Sequence, residues 1–452
     1  MRSRLLLVAL ASLAVAVRPA AAQQTRTVTL ADAIRLSVQL QPSMVGAEQN
    51  VRLAEMQYRQ TEAAFLPSLS TSLTTSRSGG SRASQFGVPT NVEAFYSSRL
   101  GITANWDLFT GFRRGYQRRM AGATTDQREA TLHGQQYATI LATEQAFYLA
   151  LADSELVGVA ASQLRAADEQ LKLTSERLRL GATTRSDSLR ASVAYGTAEV
   201  ALITAQSNLK FAQATLARAI QVDGFVTPVS DTMLFARVPN LDTAALMREA
   251  LEGAPTVLQA TANTAIARAG KGVSRAAWLP TVSLALGNTW LAGNGTTVIR
   301  DANTNAIIDT LGPTNVPFGG NYLAGWNVSL SVSYPLFNNL TRETNSVSSD
   351  VTFQTAVAAE RDARLAVSTT LTEYFAALQS AQARIDVGVV NVAAATEDLR
   401  MQTERYRLGA ATILDVLTSQ ATLDQARVSL VQARYDYLTA RAEIEAVLGR
   451  SL

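Results

Sequence analysis

The sequence predicts a mainly helical chain with four membrane-type β-strands, duplicated in tandem and unable to close a barrel without further copies of itself. Three observations carry this reading. Landmarks recur at a fixed offset, heptads persist through very long helices, and short runs alternate apolar and polar residues with period two. No stretch beyond the first residues approaches the ~20 continuous apolar positions of a membrane-spanning helix.

Residues 1–22 are expected to be a secretory signal peptide, removed after Ala22. Arg2 and Arg4 precede an apolar run from Leu5 to Val17, and Ala20-Ala21-Ala22 supplies a small-x-small cleavage site. This leader explains the formal charge of +3. It holds Arg2, Arg4 and Arg18 and no acid; removing those three from 40 basic residues leaves 37 against 37 acidic ones. A nucleic-acid partner therefore has no electrostatic support. With no Cys and a single His, His133, the chain is not expected to use a disulfide framework, a Cys/His metal site or a His-based nucleophile system. No cofactor is implied.

Pro42 and Phe65-Leu66-Pro67 recur as Pro255 and Trp278-Leu279-Pro280, shifted by 213. Leu108-Phe109 recurs as Leu336-Phe337, and Arg177-Leu178-Arg179-Leu180-Gly181-Ala182 as Arg405-Tyr406-Arg407-Leu408-Gly409-Ala410, both shifted by 228. The 15 extra residues of the second copy thus lie between its Leu-Pro and Leu-Phe landmarks. The first repeat covers 23–225, with short helices, a β-hairpin at 67–109 and a helical hairpin at 112–220. The second covers 226–452, with a β-hairpin at 280–337 and a helical hairpin at 340–448. Residues 221–240, with Gly224, Pro228 and Pro239 and no helical period, join them.

In the long helices Val157, Leu164, Leu171 and Leu178 stand seven apart, as do Leu378, Ile385, Val392, Leu399 and Tyr406. After each Gly turn a large row and a small row continue, Leu202, Leu209 and Leu216 beside Ala198, Ala205 and Ala212 in the first copy. That pairing is coiled-coil packing with close helix approach. At ~1.5 Å per residue the helix at 112–180 spans roughly 100 Å, which predicts an elongated body.

Leu100, Ile102, Ala104, Trp106 and Leu108 alternate with Gly101, Thr103, Asn105 and Asp107. Trp326, Val328, Leu330 and Val332 alternate with Asn327, Ser329 and Ser331, and Val282, Leu284 and Leu286 with Ser283, Ala285 and Gly287. Leu69 and Leu73 begin the weakest strand. About nine to eleven residues of such alternation is a membrane strand length. Four strands are too few for a closed barrel, which needs about eight, and lipid does not tolerate open edges. Two chains give eight strands around a packed interior; three give twelve around a lumen, so a conduit favours a homotrimer.

The chain resembles the TolC-type outer-membrane efflux proteins over nearly all of residues 23–452. The residues that carry the resemblance are Val28-Thr29-Leu30-Ala31-Asp32-Ala33-Ile34 with Pro42, Phe65-Leu66-Pro67, and Tyr406-Arg407-Leu408-Gly409-Ala410 followed by Asp415-Val416-Leu417. The resemblance implies a homotrimer with a twelve-stranded shared β-barrel in the outer membrane, four strands per chain, continued by a long α-helical barrel in the periplasm. It implies an inner-membrane pump working through a periplasmic adaptor protein, in efflux or type I secretion. Adaptor docking would fall on Leu180, Gly181 and Ala182 and on Leu408, Gly409 and Ala410. The periplasmic constriction would involve Asp415, matching the family's first ring aspartate, with Thr418 where a second would stand. Asp187 and Tyr406 match an aspartate–tyrosine contact between the hairpins. Ala411 replaces a linking arginine, a role open to Arg185. Without the family, Asp187 and Asp415 read first as helix N-caps or first-turn acids after the Gly turns.

The competing readings are a secreted coiled-coil stalk or adhesin, and a periplasmic enzyme. The second lacks a phosphate loop, a metal cluster or a nucleophile–base pair in the sequence. A lumen lined by Ser, Thr, Asn and Gln does not identify the substrate.

Overall fold

The computed structural model describes residues 26–83, 89–229, 242–293, 297–300, 304, 306–319 and 322–452. The expected signal peptide and most of the 221–240 connection lie outside them. In chain order the elements are β1 (Arg26–Val28), α1 (Leu30–Leu40), α2 (Pro42–Ala63), β2 (Ser68–Ala83), β3 (Pro89–Phe109), α3 (Arg113–Arg179), α4 (Arg185–Ala219), β4 (Val226–Pro228), α5 (Thr243–Gly253), α6 (Pro255–Ala276), β5 (Thr281–Ala292), β6 (Thr297–Arg300), β7 (Ile307–Leu311), β8 (Tyr322–Ser333), α7 (Thr341–Arg407) and α8 (Ile413–Leu448). The tandem duplication is plain in this order. Each half runs two short helices, a β-hairpin and a helical hairpin.

The chain divides into two compact units. One contains residues 1–50, 129–259 and 362–452. Its core joins the four long helices around side chains that the duplication pairs: Phe147 with Phe375, Leu216 with Ile444, Ile220 with Leu448, and Ala212 with Ala440. Ala212 and Ala440, 228 residues apart, are small and buried, so the helix backbones approach closely there. β1 and β4 form a two-stranded parallel pair against this core, with Val28 and Val226 buried. These three-residue strands carry no readable alternation, and β4 falls in the segment read as a connector.

The other unit contains residues 51–128 and 260–361. Its sheet has the order β2-β3-β5-β8, antiparallel throughout, with β2 and β8 at open edges among the described residues. The register brings the apolar residues of all four strands to one face: Leu69 opposite Ala104, Leu73 opposite Leu100, Trp106 opposite Leu284, Leu284 opposite Leu330, and Leu286 opposite Val328. The other face carries Ser70, Thr103, Gly287, Asn327, Ser329 and Ser331. The apolar face is uncovered: Leu69 is 75% exposed, Leu330 64% and Trp326 79%. A face this apolar needs a nonpolar surrounding.

Two expectations are corrected here. The strands are longer than nine to eleven residues: β5 and β8 have 12, β2 has 16 and β3 has 21. The β2–β3 ladder continues past the apolar band through Ser, Thr, Gly and Arg, where no alternation marks a strand but cross-strand backbone bonding continues. The second repeat also has two further strands, β6 and β7, which pair as a hairpin within its extra length.

Candidate functional site

Both helical hairpins reverse through the same local motif. Gly181 has φ +70° and Gly409 φ +75°, a conformation that disfavours any residue with a Cβ. The Ala182 N–H donates to the Arg177 carbonyl at 2.8 Å and the Gly181 N–H to the Leu178 carbonyl at 3.0 Å. The copy is identical in kind, with Ala410 to Arg405 at 2.8 Å and Gly409 to Tyr406 at 3.1 Å. These paired bonds satisfy the last carbonyls of α3 and α7 and close the helices. Leu180 and Leu408, 73% and 84% exposed, stand at the apex of the two turns.

Each following helix opens with a capping box, a Thr-x-x-Asp that begins two residues past the Leu-Gly-Ala. The Asp187 N–H donates to Thr184 Oγ1 at 3.2 Å while the Thr184 N–H donates to Asp187 Oδ2 at 3.3 Å. The Thr184 and Thr183 hydroxyls also donate to that oxygen, at 2.7 and 2.9 Å. Thr412 and Asp415 repeat the box, the Thr412 N–H donating to Asp415 Oδ2 at 2.8 Å. The hydroxyls of Thr184 and Thr183 hold the Asp187 carboxyl below the usual carboxylate range, and the Thr412 backbone N–H does the same for Asp415. Both aspartates are thus helix-capping acids, whatever else they do.

Asp415 is exposed and shares one face of α8 with Thr418, while Ile413, Val416 and Ser419 are buried. Thr422, Gln425 and Ser429 extend that exposed face as a polar stripe. Tyr406 is buried beside Ile413 and Val416.

The aspartate–tyrosine contact between hairpins is not made. The buried Tyr406 hydroxyl has no hydrogen-bond partner, and the capping threonines hold the Asp187 carboxylate. Arg177 ties the hairpins instead. It donates from Nη1 to the Tyr406 carbonyl at 2.9 Å and from Nη2 to the Arg407 carbonyl at 2.8 Å, with its guanidinium 4.6 Å from the centre of the Tyr406 ring. It thereby places a cation on the C-terminal carbonyls of α7, where the helix dipole favours one. Its position in the repeated Arg-x-Arg-Leu-Gly-Ala was visible, but its partner 229 residues away was not. Arg177→Ala should remove about 2 kcal/mol of local stability, read as faster limited proteolysis at the 408–411 turn. Unchanged cleavage would show that the clamp contributes nothing.

The family model for outer membrane efflux proteins matches residues 33–221 and 246–450. Among curated relatives, the chain is 27% identical over 443 residues to the outer membrane efflux protein BepC of Brucella suis, covering 95% of this chain and 86% of that protein. It is 25% identical over 327 residues to outer membrane protein TolC of Escherichia coli, covering 71% of this chain and 63% of TolC. Among solved structures, the outer membrane protein VceC of Vibrio cholerae superposes with a TM-score of 0.73 at 18% identity, covering 93% of this chain and 96% of that one. The match comes in two segments, one in each half of the chain, and the protein is an outer-membrane one with its helical body in the periplasm. The chain belongs to the outer membrane efflux protein family.

Proposed function

We propose that the protein is the homotrimeric exit duct of a tripartite efflux or type I secretion system, a passive channel opened and fed by an inner-membrane pump through a periplasmic adaptor. The observation that carries the reading is the four-stranded sheet with one apolar face and two edges, β2 and β8, that are unpaired among the described residues. In lipid each unpaired backbone group costs several kcal/mol, so the edges require partners, and three copies supply a twelve-stranded barrel wide enough for a lumen. A second support is an apolar stripe on α4. Leu189, Val193, Val200, Ile203 and Phe211 are 58–72% exposed in the single chain, a surface suited to a neighbouring copy. A secreted coiled-coil stalk would leave the apolar sheet face without an occupant.

In this reading the polar stripe of α8 lines the tunnel, and three copies of Asp415, with Thr418 one turn on, form a negative constriction that favours cations. The Leu180-Gly181-Ala182 and Leu408-Gly409-Ala410 turns present Leu180 and Leu408 to the adaptor. Asp187 and Tyr406 stand at the same end, tied through Arg177 and the caps. In planar bilayers the wild type is expected to conduct with a cation preference that Asp415→Asn reduces. An unchanged preference would remove Asp415 from the constriction.

A further inference from the structure

Towards the Gly turns the four long helices surround a cavity of about 500 Å³ that lies within a single chain. Each helix contributes an apolar part of its wall: Leu173 of α3, Ala198 of α4, Leu399 of α7 and Val416 of α8. That volume, and a largely apolar wall with a few polar groups, are those of small-molecule sites.

One buried carboxylate stands in this wall. Asp424 is 7% exposed. Gln420, one turn earlier and in the same wall, donates from Nε2 to Asp424 Oδ1 at 3.0 Å, whereas the buried Oδ2 has no hydrogen-bond partner. Burial pushes the Asp424 carboxyl above its usual range, with the Gln420 bond and Arg427 opposing. Leaving a carboxylate oxygen buried and unpaired is costly. The cation in the cavity wall, Arg407, pairs elsewhere, with Glu404 at 3.0 Å. The duplication supplies an internal control: the counterpart of Asp424 on α4 is Gly196, so the repeated helix forms without an acid at this position.

A metal ion does not suit this donor set. It takes several carboxylate or imidazole ligands, and among the described residues no three such groups stand together. An ammonium ion with an apolar body does suit it. Its N–H groups complete the hydrogen bonding of the carboxylate, and its body gives Leu173, Leu399 and Val416 the contacts that an empty space denies them.

We propose that this cavity binds a compact apolar ammonium ion, with Asp424 as its counter-ion. The site goes beyond the duct reading and does not depend on it, because all its walls come from one chain. They come from both helical hairpins, so an occupant bridges the two.

The test is isothermal titration calorimetry of the detergent-purified full chain with adamantylammonium and with adamantanol, the same apolar cage without the charge. The wild type is expected to bind the ammonium more tightly than the alcohol. Asp424→Asn removes the charge at nearly constant shape; it should weaken ammonium binding roughly 10- to 100-fold, the range of a hydrogen bond to a charged group, and leave adamantanol binding unchanged. Ala166→Leu, which fills part of the cavity wall's free space, should weaken both. Equal affinities in the wild type, as a cavity satisfied by water alone would give, would overturn the proposal. So would an Asn variant with the wild-type ammonium affinity, or a Leu variant that retains both affinities. Conductance of the same variants reports separately on the duct.

Discussion

Leu330→Arg is expected to abolish assembly into the outer membrane, whereas Ser331→Arg, one residue further along the same strand, is expected to be tolerated. Leu330 sits opposite Leu284 on the apolar face and is 64% exposed; Ser331 sits opposite Ser283 on the polar face. A guanidinium at the lipid midplane costs about 2–4 kcal/mol, and each protomer of an assembled channel bears that cost. On the other face the same side chain meets water and alters only selectivity. The measurement is the amount of folded channel in outer-membrane fractions. Equal loss in both variants would contradict the assignment of faces.

The second large effect concerns Glu144 on α3, 7% exposed in the helical core with Oε2 unpartnered. It faces Tyr148 on its own helix and Arg441 and Glu445 on α8, where Arg441 donates to Glu445 at 3.0 Å. Burial, and then the Glu445 charge, push the Glu144 carboxyl from 4.5 up to about 7, with Arg441 opposing. Because the folded value is raised, folding favours the protonated acid. Its stabilising contribution is full below the unfolded value and is lost as pH rises from 4.5 towards 7, a change of roughly 3 kcal/mol. The wild type should therefore melt at a lower temperature at pH 8 than at pH 5 on this account, and Glu144→Gln should remove most of that difference and raise the pH 8 midpoint. A variant with the wild-type pH profile would show that Glu144 is already satisfied or ionised in the fold.

The helical hairpins were readable almost to the residue, because heptads run through them and Gly181 and Gly409 punctuate them. The sheet face was equally legible wherever lipid enforces alternation, as from Leu100 to Leu108. It ceased to be legible in the polar continuation of β2 and β3, where backbone bonding alone maintains the ladder. The parallel β1–β4 pair was hidden for another reason: three residues cannot display a period, and the partners lie 200 residues apart. At the tip, local chemistry was accessible and long-range chemistry was not. Thr184 and Thr412 announce their caps three residues ahead of Asp187 and Asp415, and those caps compete for the carboxylate that a contact with Tyr406 would need. The Arg177 clamp depends on how two hairpins pack, which no local pattern encodes.

The most direct test of the account is cryo-electron microscopy of the detergent-extracted protein, read for what pairs with the edges of the sheet. The account predicts three-fold symmetry, with β2 of each chain bonded to β8 of a neighbour in a closed twelve-stranded barrel and a hollow helical body beyond it. A monomer whose sheet edges are covered by its own chain, or a solid helical rod, would contradict it.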